Sequence, residues 1–344
     1  VPHLIQGGEV EIRKVQVTGG SSYVISLPKA WIKSSNVKKN DPLGIITQPD
    51  GTLLITPNVN EKRLQRTKEF DVDSINEPTH LFRCLIGAYI SGYTTIKIKS
   101  SRTIPPFVRT TVRKFANLAI GQEVIEETAT SITIKDILDP VEMPFENTIR
   151  RMYVIVKNMH KDAISALKNK DKALAEDVVL RDDEVDRLHW LIVRQQNIVS
   201  KNAILARRMG ITTGTIANYS LISRIIERIG DHAVRISKNV LNLIDRKIDE
   251  EVIDTLVSAS NFALEIFNKS VESFFKRDME AANRNIDSIT KLVSYCEDIS
   301  TFALQQKGKT AISVGYIIES IKRTGEYAGD LSEYVINYLV EDEM

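Results

Sequence analysis

Ser220-Leu-Ile-Ser-Arg-Ile-Ile-Glu227-Arg-Ile-Gly-Asp231-His-Ala-Val-Arg-Ile-Ser-Lys-Asn-Val240 reads as one uninterrupted helix with two unlike faces. Ile222, Ile226, Ile229, Ala233, Ile236, Val240 and Leu243 recur at alternating steps of four and three, the spacing of a helix packed in a bundle. At about 100° per residue, Glu227 and Asp231 fall on the other side of the helix, beside Arg224, Arg228, Arg235 and Lys238. The two carboxylates are one turn apart and project side by side. Such a pair either shares a hard cation or stands on a solvated, salt-bridged face.

Outward from this helix, everything from Asn147 onward carries helical periodicity. Breaks are expected at Asn169-Lys-Asp171, near Gly210-Ile-Thr-Thr-Gly214, at Lys247-Ile-Asp249, at Arg277-Asp278 and at Gly308, where Asp, Thr and Gly supply caps. Six long helices follow, in two sets of three. The third helices align with a constant separation of 95 positions, pairing Ile222 with Ile317, Ile226 with Ile321, Gly230 with Gly325, Ala233 with Ala328 and Val240 with Val335. This is an internal repeat. Its halves differ in chemistry, because Glu227 aligns with Lys322 and Asp231 with Glu326.

Glu227-Arg-Ile-Gly-Asp231-His-Ala resembles the signature of the PhoU family of phosphate-uptake regulators, and the tandem three-helix bundles are what that resemblance implies. It further implies a second carboxylate pair on the preceding helix, and Asp182-Asp-Glu-Val-Asp186 matches it. On the same resemblance Asp182, Asp186, Glu227 and Asp231 are expected to ligate a metal ion. Oxygen-only ligands suit Mg, Ca, Mn or Fe. In the second repeat Asn283 and Asp287 are the expected counterparts of Asp182 and Asp186, so half of the ligand set is missing there; Glu326 and Asp330 form a displaced acidic pair that reads as a solvated face.

The front of the chain has a different grammar. Short strands are expected over Val10 to Thr18, Tyr23 to Leu27, Leu43 to Gln48 and Thr52 to Thr56, with a helix opening at Pro28 and a hairpin turn at Pro49-Asp-Gly51. Fewer than 50 residues cannot bury a full core alone, so an obligate dimer is expected. Ile12-Arg13-Lys14-Val15, Gly19-Gly20, Val24-Ile25-Ser26-Leu27-Pro28, Ala30-Trp31-Ile32 and Lys39-Asn40-Asp41 resemble the AbrB/SpoVT swapped-hairpin DNA-binding domain. The resemblance implies a β-barrel interleaved from two chains and contact with double-stranded DNA through Arg13, Lys14, Lys29 and Lys33. Ser21 and Ser22 stand where that family usually has a basic residue.

Between these parts, after a polar linker at 58–66, strands are expected over Lys68 to Val72 and Thr95 to Lys99, helices over Pro78 to Tyr93 and Pro105 to Ala119, and two strands between Glu123 and Ile137. This is a small α/β domain of βαβαββ order. The expected organisation is therefore multidomain: an AbrB-like module at 9–58, an α/β domain at 66–140, and PhoU-like all-α bundles at 147–247 and 248–341.

The 344 residues, with 42% hydrophobic and 26% charged, are those of an ordinary globular protein of two or three domains. No apolar run approaches the roughly 18 residues of a membrane span, and no signal peptide is apparent, so membrane insertion is not expected. Two distant cysteines, Cys84 and Cys296, indicate neither a disulfide framework nor a zinc site, which points to the cytosol. The net charge of +1 hides a polarity: residues 248–344 hold 9 Lys/Arg against 18 Asp/Glu, and the rest holds 37 against 27. The five histidines are scattered, and no nucleophile stands with a base, so no enzyme activity is expected. The sequence thus reads as a homodimeric, DNA-binding regulator of phosphate uptake with a helical sensory body, a combination resembling archaeal practice. The alternative is a partner of a phosphate transporter or sensor kinase whose front module serves only to dimerise.

Overall fold

The computed structural model describes residues 10–48, 51–57 and 65–342. Pro49 and Asp50 of the expected hairpin turn, and most of the expected linker, lie outside the described residues. The chain divides into two compact units, Val1–Arg63 and Leu64–Met344.

In the first unit β1 (Gln16–Thr18) pairs antiparallel with β2 (Ser22–Val24), and β3 (Gly44–Thr47) pairs antiparallel with β4 (Leu53–Thr56). The β1–β2 turn runs through Gly19 and Gly20 at φ +63° and +85°, a left-handed conformation that a side chain resists. Helix α1 (Lys29–Ser34) follows Pro28, which supplies an extended N-cap. Among the described residues the hairpins remain two separate two-stranded sheets and close no barrel. The reason is visible in what they leave uncovered: Ile12 is 91% exposed, Tyr23 78%, Ile45 64% and Leu53 62%. Residues 10–15, expected as the start of a strand, find no strand partner among the described residues.

The second unit begins with the α/β domain: β5 (Thr67–Asp71), α2 (Pro78–Ile90), β6 (Thr95–Lys99), α3 (Pro106–Leu118), β7 (Gln122–Glu127) and β8 (Ser131–Asp136). The βαβαββ expectation holds, with strand order β5-β6-β8-β7 and only the β5–β6 pair parallel. Period-two alternation sorts the faces. Ile96, Ile98, Ile132 and Ile134 turn inward to Leu81, Leu85, Val108, Val112 and Phe115 of the helices.

The helical body comprises α4 (Phe145–Asn169), α5 (Lys172–Leu180), α6 (Asp182–Val199), α7 (Ala203–Arg208), α8 (Thr213–Leu241), α9 (Glu250–Lys276), α10 (Met279–Gln305) and α11 (Lys309–Asp342). All seven seam residues from Ile222 to Leu243 are buried. Helices α8 and α11 pack on each other, so the two repeats share one continuous core. Two breaks were not expected from the sequence, at Arg181 between α5 and α6 and at 200–202 before α7, whereas the one expected near Gly210 follows α7.

The caps fix the register of the repeat. Lys170 and Arg277, 107 positions apart, both take a left-handed conformation at the end of a long helix, at φ 52° and 56°. Each is followed by an Asp, Asp171 or Asp278, whose carboxylate accepts from a backbone N–H three residues on. The first two helices of each repeat are therefore related by 107 positions. The third are related by 95, with Ile222/Ile317, Ser237/Ser332 and Val240/Val335 all buried. The difference of 12 residues is extra chain between the second and third helices of the first repeat, and it forms α7 and its loop. This register also corrects the expected counterparts of Asp182 and Asp186: they are Ile289 and Val293, not Asn283 and Asp287. The close approaches agree, since a Cβ on Gly230 would meet Val185, and one on Gly325 would meet Leu292, 107 positions later.

Buried polar contacts join the α/β domain to the helical body, beside the packing of Trp190 of α6 on Phe82 of α2. Arg194 of α6, 2% exposed, donates to the backbone carbonyls of Tyr89 and of Tyr93, the latter at 2.9 Å, pairs with the Asp136 carboxylate, and lies over the Tyr89 ring. Gln195 donates to Pro140 and Met143 carbonyls, and Asn197 to Ile90. Arg194→Ala removes the buried ion pair and both carbonyl contacts at once, and is expected to destabilise the second unit by roughly 3–5 kcal/mol, read as a lower urea midpoint. A midpoint shift within error would show that the clamp contributes nothing net.

Candidate functional site

The four expected carboxylates do gather. Helix α6 opens at Asp182 with three acids in its first turn, where the helix dipole favours negative charge, and lies against α8. Asp182 and Asp186 from α6 come close enough to Glu227 and Asp231 of α8 that they act on one another. Burial first, then the neighbouring Asp182 and Asp231 charges, push Asp186 up to about 6. Burial and the Asp231 charge push Glu227 up to about 7. Asp182 and Asp231 are raised too, chiefly by burial. Arg224 donates to Glu227 Oε1 at 2.9 Å, while Oε2 is buried and accepts no hydrogen bond.

Burial and mutual repulsion favour the protonated forms of these acids. Among the described residues no group of three or more His, Cys, Asp or Glu side chains is placed to hold a metal ion, which overturns the expected Mg, Ca, Mn or Fe at Asp182, Asp186, Glu227 and Asp231. Part of the physical reason lies in Glu227: one oxygen is turned to Arg224 and the other into the packed interior. In the second repeat the equivalent positions are Ile289, Val293, Lys322 and Glu326, and Ile289 packs where a Cβ on Gly329 would stand.

Three histidines that looked scattered in the sequence lie in the helical body. His160 is fully buried, within 2.9 Å of Ser260 Oγ on α9 and 3.5 Å of Thr324 Oγ1 on α11, so it ties the first repeat to the second. His189 meets Ser223 Oγ at 3.0 Å, and His232 packs on Tyr327. Burial, more than any charge, lowers all three to about 4. His160 is fully buried, whereas His189 and His232 are partly buried.

The four basic residues of the front unit are all exposed. Lys29 and Lys33 stand one turn apart on α1, Arg13 pairs with Glu11 at 2.6 Å, and Lys14 is its neighbour in sequence. The front module at 9–58 holds only 6 Lys/Arg against 4 Asp/Glu. Most of the positive charge ahead of residue 248 is instead in the first helical repeat, with 19 Lys/Arg against 11 Asp/Glu in 147–247.

Comparison with known proteins finds a likeness for both parts. Residues 149–240 match the PhoU domain, and residues 16–63 match the MazE domain, described as antidote-toxin recognition in bacterial antitoxins. The chain is 22% identical over 201 residues to a phosphate-specific transport system accessory protein PhoU homolog of Clostridium acetobutylicum, covering 55% of this chain and 88% of that one. It is 24% identical over 197 residues to a protein of the same description from Pseudomonas putida, covering 54% of this chain and 73% of that one. The crystal structure of PhoU from Pseudomonas aeruginosa superposes with a TM-score of 0.50 at 18% identity, covering 58% of this chain and 96% of that one, a likeness of fold. No described helix is long and apolar enough to cross a membrane.

Glu227 gives the cluster a testable pH signature. Its folded pKa of about 7 lies above its ordinary value of 4.5, so the native state holds the extra proton between these values. The stability it contributes is complete below about 4.5 and is lost as pH rises through 7. Glu227→Gln keeps the shape and removes the charge; the Arg224 pair it sacrifices is half-exposed and worth little. We expect the variant to be more stable than the parent at pH 8 by roughly 1–3 kcal/mol, with the gain shrinking toward pH 5, measured by urea unfolding. Equal stabilities at pH 8 would refute the buried-repulsion account.

Proposed function

We propose that the protein is a DNA-binding regulator of phosphate uptake, with the front unit as the DNA-contacting dimer module and the PhoU-type helical body as the part that takes in the phosphate signal. The observation that carries the reading is the pairing of the MazE-type match at 16–63 with two hairpins whose apolar side chains are left uncovered in the single chain. A second copy interleaving the same hairpins covers that surface and doubles the set Arg13, Lys14, Lys29 and Lys33. The phosphate part is supported by the two PhoU homologs, whose descriptions name phosphate-specific transport.

One observation favours a second reading. The front module carries only a small positive excess, and those relatives are described as accessory proteins of a transport system. On that reading the module only dimerises, and the helical body works on transporter or signalling proteins.

Two measurements separate these. In sedimentation the full chain is expected to run as a dimer at micromolar concentration and to lose self-association when residues 1–63 are removed; a full-length monomer ends the interleaved-hairpin idea. In fluorescence anisotropy with promoter DNA, log affinity is expected to fall with log salt by about 0.9 per phosphate neutralised, and removing one phosphate-binding Lys or Arg from each subunit of a dimer should flatten that slope by about two. Arg13→Ala with Lys14→Ala should weaken binding to every sequence alike and leave the dimer intact. If a dimer forms without salt-sensitive affinity for DNA, the accessory-protein reading takes its place.

A further inference from the structure

The two edges of the α/β sheet are built differently. β7 has a register shift between Val124 and Glu126 and carries Glu123, Glu126 and Glu127, the bulge and charge that keep other strands away. β5 has no bulge. It runs in register along β6 from Thr67 opposite Thr95 to Asp71 opposite Lys99, and among the described residues no strand lies on its outer side. Thr67, Lys68, Glu69 and Asp71 are exposed, and Phe70 is half-buried.

Hydrogen bonding fixes which peptide groups of β5 are turned outward. The Arg66 carbonyl accepts from Thr95 N–H at 3.1 Å, and Val72 N–H donates to the Lys99 carbonyl at 3.0 Å, so the even-numbered residues of the strand serve β6. Alternation then turns the N–H and C=O groups of Thr67, Glu69 and Asp71 to the free edge.

This edge is complementary to itself. In a two-fold antiparallel pairing, the register that engages all five residues is centred on Glu69, and it sets Thr67 against Asp71 of a second copy and Lys68 against that copy's Phe70. Every outward-turned residue then faces another, so each of these facing pairs exchanges both of its hydrogen bonds. Lys68 already lies 5.5 Å from the ring of its own Phe70, and in the pair its stem covers the ring of the other copy. The facing Glu69 carboxylates are each held by Lys99 at 2.8 Å, with Lys97 close by, which offsets their repulsion.

We propose that β5 is a self-association edge, along which two copies of this chain join their four-stranded sheets into one. A pair of five-residue strands buries far less than the roughly 1,200 Å² of a stable interface, so the edge does not hold two copies together alone. It depends on the dimer proposed for the front unit. Only residues 57–66 separate β4 from β5, a reach of no more than about 40 Å at full extension. Front modules that dimerise therefore make the β5 encounter intramolecular, at an effective concentration on the order of millimolar.

Disulfide trapping in the full chain tests the pairing, in a Cys84→Ser background that leaves only the buried Cys296. Under mild oxidation Glu69→Cys is expected to form a covalent dimer at least about ten-fold faster than Asp71→Cys, because position 69 faces itself and position 71 does not. Thr67→Cys combined with Asp71→Cys should link as readily as Glu69→Cys. Adding Glu69→Pro to that double variant removes an outward N–H, which an edge strand tolerates, and should abolish the link while sedimentation still reports a dimer. A dimer in which Glu69→Cys links no faster than Asp71→Cys overturns the edge pairing and leaves the front-module reading standing; the same result is expected if β5 takes a strand from another protein. A full-length monomer overturns both.

Discussion

A buried guanidinium governs the arrangement of the second unit. Withdrawing Arg194 and Asp136 from water costs several kcal/mol per ion, and this is offset only because the pair is close and further acceptors, the Tyr89 and Tyr93 carbonyls, take up the remaining N–H groups. Those carbonyls end α2 and precede β6, while Asp136 ends β8, so one side chain from α6 reads the position of three elements of the α/β domain at once. With α6 held there, its acidic first turn is delivered to α8 at one end and the inserted segment begins at the other. The clamp thus holds the helix that carries half of the carboxylate cluster.

The cluster itself is a case of repulsion held in place by packing. Val185 and Val156 press on Gly230, which brings α4 and α6 to α8 at the level of Glu227 and Asp231. Closing that contact drives carboxylates together, and the proton taken up by Glu227 relieves part of the cost. In the second repeat the same close packing is kept, with Leu292 on Gly325, but the positions equivalent to Asp182 and Asp186 are the apolar Ile289 and Val293. Duplication has preserved the backbone approach and released one copy from the acidic chemistry.

The helical fold was legible because a buried seam must recur at helical spacing, and from Ile222 to Leu243 it does so without exception. The α/β domain was legible from alternation in Thr95–Lys99 and from Pro78 and the Pro105-Pro106 pair at helix starts. Arg194, Gln195 and Asn197 were not: polar residues on a helix look the same in sequence whether they face water or another domain. Nor was the arrangement of the four acids legible, because spacing along the helices brings them together without saying where their oxygens turn, and Arg224 decides that for Glu227. The counterparts of Asp182 and Asp186 were misplaced because residue type was matched, whereas the left-handed caps at Lys170 and Arg277 carry the true register. Comparing that register with the 95-residue period also exposes the insertion, a signal present in the sequence but silent until both offsets are known.

The uncovered rows of the front hairpins have a consequence for the cell. If their partner is a second copy, the folding of that module is a bimolecular event, and its stability rises with the logarithm of how much protein is present. The helical body, with its own continuous core, carries no such dependence. A dilute pool would then consist of folded bodies with unformed front modules, and only accumulation would switch the latter on, making abundance itself an input to the circuit.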